Sequence, residues 1–128
     1  MTDPGHAYGD RLSGSYFGND EPIMIALAPR GEAVDWRNEA GHVWVPERLL
    51  GRLRFLAKAY ELHLLAVVDL TDSTRFNHVQ CQNMLDELGF ISAIIHDPLI
   101  SDLIANLSRL ITRCVHGHGS LEVVIEGP

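Results

Sequence analysis

Short apolar segments alternating with amphipathic helical patterns predict a single-domain α/β fold with a mixed sheet. The expected order is one or more N-terminal hairpins and then β-α-β-α-β, with helices packed on the sheet. Three observations carry this reading. The wholly apolar run at 64–68 (LLAVV) stops abruptly at Asp69-Leu70-Thr71-Asp72-Ser73-Thr74, as a strand buried on both faces does at the edge of a parallel sheet. Asp97-Pro98 opens a stretch in which Leu99, Ile100, Leu103, Ile104, Leu107, Leu110, Ile111 and Cys114 recur at helical spacing. Glycines stand where helices should stop: Gly89, and then Gly117 and Gly119.

Taken in order, residues 1–20 hold Gly5, Gly9, Gly14 and Gly18 among short polar side chains, without periodicity. They read as a flexible or irregular arm, and residues 21–128 as one α/β domain. The first strand is 22–28 (PIMIALA), closed by the turn signal Pro29-Arg30-Gly31. Weaker strands at 33–37 and 42–45 would pair as a hairpin. A helix begins at Pro46, a residue suited to a first turn, and carries Leu49, Leu50, Leu53, Leu56, Ala57 and Tyr60 on one face. Strand 64–68 follows, then a helix over about 75–88 with Cys81, Met84, Leu85 and Leu88 on one side and Gly89 to end it. Residues 90–95 (FISAII) read as a strand, 98–114 as the most regular helix, and 121–125 (LEVVI) as the last strand.

Bulk properties bound the function. At 128 residues with 46% hydrophobic and 21% charged side chains, the chain is large enough to bury a core without disulfide or metal. No apolar run approaches the roughly 18 residues of a membrane helix, and no secretory signal opens the chain, so the expectation is a cytoplasmic protein without membrane contact. Cys81 and Cys114 both fall on apolar helix positions and read as reduced, buried thiols. A net charge of −7 argues against nucleic-acid binding and fits a basic protein partner reached by electrostatic steering.

If the last three strands were parallel, their carboxyl ends would gather Asp69, Thr71, Asp72, Ser73, His96, Asp97 and Glu126 along one edge. Carboxylates so placed can hold Mg²⁺ for phosphoryl chemistry. The same residues also serve as helix caps, Asp72, Ser73 or Thr74 for the helix at 75 and Asp97 for the helix at 98. Cys114-x-His116-x-His118 offers soft ligands, but zinc needs a fourth and no Cys-x-x-Cys supplies it. No phosphate-binding glycine loop and no Gly-x-Ser-x-Gly elbow occurs, so no cofactor, metal or catalytic residue is assigned. Trp36 and Trp44 either present an aromatic patch on an edge hairpin or cover the sheet.

The segment 64–74 carries two local resemblances. The spacing Asp69-x-Thr71-x-Ser73 after an apolar strand resembles the metal-binding loop of von Willebrand factor A domains over about ten residues, which implies a divalent-cation site. The same stretch resembles STAS domains, which implies a phosphate acceptor at Ser73 or Thr74, although Arg75 stands where that family has glycine.

The leading expectation is a non-catalytic protein-binding module, in concrete form a bacterial immunity-type inhibitor of a partner toxin. Its contact residues would be Asp69, Asp72, Ser73, Trp36 and Trp44. The alternatives are a STAS-like regulatory domain switched by phosphorylation near Ser73, and a small Mg-dependent enzyme using Asp69 and Asp72.

Overall fold

Alternation along each strand decides which residues meet the helices. Ile23, Ile25, Val45, Phe76, Val123 and Ile125 all enter one core with residues from every long helix described, so the four strands formed by the described residues are covered by helices on one side. The computed structural model describes residues 22–34, 42–68 and 72–126. In chain order these form β1 (Pro22–Pro29), β2 (His42–Pro46), α1 (Glu47–Ala59), α2 (His63–Ala66), β3 (Ser73–Phe76), α3 (His78–Ile94), α4 (Pro98–His116) and β4 (Leu121–Glu126). The strand order is β2-β1-β4-β3, and each neighbouring pair is antiparallel.

The expected α/β class, with helices packed on a sheet and an antiparallel first pair of strands, is what forms. α1 begins after Pro46 and buries Leu49, Leu50, Leu53 and Ala57. α4 begins at Pro98 with Asp97 as its N-cap, the carboxylate accepting from the Leu99 N–H at 2.9 Å. Seven residues on one face of α4 are buried, and the helix stops at His116. His118 (φ 51°) and Gly119 (φ 93°) then turn the chain through left-handed backbone into β4. Of the expected strand at 33–37, Ala33 and Val34 lie outside any strand, and 35–37 lie outside the described residues.

Two other expected strands are helical, and this removes the parallel units. Residues 64–66 belong to α2, in which Leu65 is buried. Val68 beyond it is buried as well, while Val67 is exposed. A five-residue apolar run satisfies a short helix as well as a strand. Here the Glu87 carboxylate of α3 decides, accepting from the N–H groups of Leu64 and Leu65 at 3.0 and 2.9 Å. Those are two of the four donors that a helix start leaves unpaired.

Residues 90–94 prolong α3 straight through Gly89. Only Ile91 among them is fully buried, while Phe90 and Ile94 are exposed, a pattern a doubly covered strand would not give. Cys81, Met84, Leu88 and Ile91 continue one helical face at steps of three and four. β3 and β4 are thus joined by a helical hairpin instead of a single crossover helix. Two helices leave the chain at the end of the sheet where it arrived, so β4 runs antiparallel to β3.

The start of α3 also moves. Ser73–Phe76 is strand, and the cap is Asn77, not Asp72, Ser73 or Thr74. The Asn77 side chain accepts from the Gln80 N–H and the Gln80 side chain from the Asn77 N–H, both at 2.9 Å, a reciprocal capping box.

Candidate functional site

The antiparallel pairing sets Ser73 opposite Glu126, two members of the cluster expected at parallel strand ends. Asp69 and Thr71 lie outside the described residues. Asp72 is exposed just before β3, its carboxylate accepting from the Ser73 N–H at 2.7 Å. Asp97 is engaged at the start of α4, where Arg52 of α1 donates to its carboxylate. Burial pushes the Asp97 carboxyl up, but the Arg52 guanidinium and the Leu99 N–H outweigh it and hold the group below the usual aspartate range. His96 is exposed in the link between α3 and α4. Among the described residues, no group of three or more His, Cys, Asp or Glu side chains is placed to hold a metal ion. Cys114 is buried while His116 and His118 face solvent.

Two expected contact residues do share a surface. Ser73 pairs with Glu126, Glu126 with Met24, and Met24 with Trp44. Directly paired residues point to the same side of a sheet. The four therefore form one row across the face away from the helices, about 14 Å from end to end at the usual strand spacing. Trp36 lies outside the described residues. In the next row stand His42, Ala26, Val124 and Arg75, of which Ala26 and Val124 are buried.

The far end of that face is closed by polar bonds. Glu122 Oε1 accepts from the Gly31 N–H at 2.8 Å and from Arg75 Nη2 and Nε at 2.8 and 3.2 Å. Arg75 Nη2 also donates to the Glu32 carbonyl at 2.9 Å. The Gly31 N–H, with Arg75 beside it, holds the Glu122 carboxyl below the usual glutamate range. Gly31 adopts φ 75°, a left-handed conformation that lets its N–H face the carboxylate at little steric cost. The group ties the turn after β1 to both β4 and β3.

The helical layer holds a surface that sequence reasoning missed. Among the described residues, the large hydrophobic side chains that remain exposed are Phe55 (71%), Tyr60 (46%), Val67 (61%), Val79 (52%), Phe90 (46%) and Ile94 (38%). All lie on α1, α3 or the residues that close α1 and α2. Tyr60 and Phe90 meet edge to face, with ring centroids 5.6 Å apart and planes at 70°. Ile94 follows Phe90 by one helical turn, so the two share a face of α3.

Backbone geometry fixes Tyr60 in place. Glu61 (φ 57°) takes the left-handed position usually given to glycine after a helix. The Glu61 N–H reaches the Lys58 carbonyl at 3.2 Å and the Leu62 N–H the Ala57 carbonyl at 2.8 Å, the paired bonds of a Schellman ending. Part of the signal lies in the sequence: Phe90 and Ile94 are large apolar residues out of helical phase with Cys81, Met84, Leu88 and Ile91, whereas Tyr60 keeps the phase of the buried face of α1 and is exposed because the helix ends there.

Among the described residues, no helix is long and apolar enough to cross a membrane. No protein-family profile, no curated protein and no solved structure matches this chain.

Proposed function

We propose that this domain is a protein-binding module whose contact surface centres on Tyr60, Phe90 and Ile94. The observation that carries the reading is the half-exposed Tyr60–Phe90 pair packed edge to face. Aromatic rings held rigid at a surface lose little conformational entropy on binding, and they dominate the energetics of protein interfaces. The net charge of −7 adds the partner's chemistry: a basic protein with an apolar groove for the two rings. Inhibition of a basic toxin, in the manner of an immunity protein, is the finer form of this reading and rests on the charge alone.

The row Trp44–Met24–Glu126–Ser73 supports a second reading, in which the partner meets the sheet. Ser73 and Thr74 sit in a strand, so phosphorylation there would charge a sheet edge and not a helix N-terminus.

Purification from the native source should recover one stoichiometric basic partner that salt weakens. Phe90→Ala should weaken that complex by at least about 30-fold, the range of an interface hot spot, while leaving the half-exposed site's fold intact. A complex that survives Phe90→Ala and Tyr60→Ala unchanged overturns the helical surface as the contact site.

A further inference from the structure

We propose that Cys81 and Cys114 are a peroxide-responsive thiol pair that closes reversibly to a disulfide between the start of α3 and the end of α4. Both cysteines are fully buried and reduced, and their sulfurs lie 3.4 Å apart. Cys81 donates its S–H to the Cys114 sulfur, and Cys114 donates its own to the Leu121 carbonyl oxygen at 3.4 Å. Bond formation requires the sulfurs to approach by a further ~1.4 Å.

The two positions differ in a way that suits ordered chemistry. The hydrogen bond to Cys114, with burial, pushes the Cys81 thiol up, while the same bond lowers the Cys114 thiol against burial and the nearby Glu122 carboxylate, which both raise it. Cys114 precedes Gly117 by three residues, and the Gly117–Ser120 turn with its two left-handed residues is the local segment whose opening would admit a small oxidant. The Cys114 thiolate attacks a hydroperoxide oxygen: an S–O bond forms, the O–O bond breaks, and the departing hydroxide takes up a proton to become water. The Cys81 sulfur then attacks the sulfenic sulfur, forming the S–S bond and breaking S–O. The Cys81 proton goes to the departing hydroxide, giving a second water. In sum, two thiols are oxidised and one hydrogen peroxide is reduced to two waters.

The test uses the full chain, folded, with hydrogen peroxide. The intact mass should fall by two hydrogens, both thiols should become unreactive after denaturation, and dithiothreitol should restore them. A non-reducing proteolytic map should join the Cys81 and Cys114 peptides. The oxidised protein should melt at least about 5 °C higher, because the bridge closes a long loop of chain. Cys81→Ala and Cys114→Ala should each abolish the mass loss; the wild-type peptide map decides the matter even if either fails to fold. Two free thiols after treatment, oxygen adducts on a single cysteine without a bridge, or a bridge only between two chains would overturn the proposal.

Discussion

Gly89→Ala separates the observed helix α3 from a helix that ends at residue 88. Gly89 lies inside α3, which runs from His78 to Ile94, and a β-carbon built there meets nothing within 4 Å. Its backbone is not in the left-handed region, so alanine adds no strain and no clash. The substitution should therefore return the full propensity difference of about 1 kcal/mol in favour of the folded state, partly through a less flexible unfolded chain. For a chain of 128 residues, that raises the thermal midpoint by about 4 °C. In urea, with a slope near 2 kcal/mol/M, the midpoint rises by about 0.5 M. Both shifts are measured readily by circular dichroism on the two proteins side by side. A glycine ending the helix in left-handed conformation would give the opposite sign, a loss of about 1 kcal/mol. A fall in either midpoint refutes the continuous α3.

Three further outcomes follow from single groups. Glu87→Ala removes the acceptor for the Leu64 and Leu65 N–H groups and should cost about 1–2 kcal/mol in chemical denaturation; no loss would mean that α2 does not depend on it. Asp97→Asn keeps a good N-cap and loses only a partly exposed ion pair, so it should cost under about 1 kcal/mol, whereas Asp97→Ala loses the cap too and should cost about 1 kcal/mol more. Equal losses would show that the cap contributes nothing.

Glu122 and Asp97 titrate below their usual ranges in the folded protein. Their stabilisation is therefore complete above the unfolded carboxylate range, near pH 4–5, and is lost as pH falls through the lower folded values. The double variant Asp97→Asn with Glu122→Gln should lose less stability between pH 5 and 3 than the parent, by at most about 1 kcal/mol per group. An acid limb no flatter than the parent's would remove these carboxylates from the account.

The legible elements were those whose side chains declare both a period and an end. α4 combined Asp97, Pro98 and eight apolar residues in phase, and β1 was an apolar strand closed by Pro29-Arg30-Gly31. What failed was the decision between helix and strand for apolar runs of five or six residues. At 64–68 the arbiter is Glu87, far along the chain, and no local pattern announces it. At 90–95 a local signal was available: the steps from Cys81 through Met84 and Leu88 to Ile91 keep helical phase across Gly89. Gly89 read as a stop because glycine favours helix ends, yet in α3 it is an internal residue that helix packing tolerates. The cap at Asn77 was likewise readable from Asn-x-x-Gln, but three polar residues at 72–74 competed for that role. Of the expected cluster, Ser73 still meets Glu126 across β3 and β4, but Asp97 is taken up by Arg52 and the Leu99 N–H, and among the described residues no metal-holding group forms. Tyr60 and Phe90 come together only through the packing of α1 against α3, which sequence separation hides.

The most direct test places a photo-crosslinking amino acid at positions 44, 73, 90 and 94 in turn, in the native cells. The helical contact surface predicts one specific protein product from positions 90 and 94 and none from 44 or 73. A product from Trp44 or Ser73 positions alone, or none from any of the four, contradicts it.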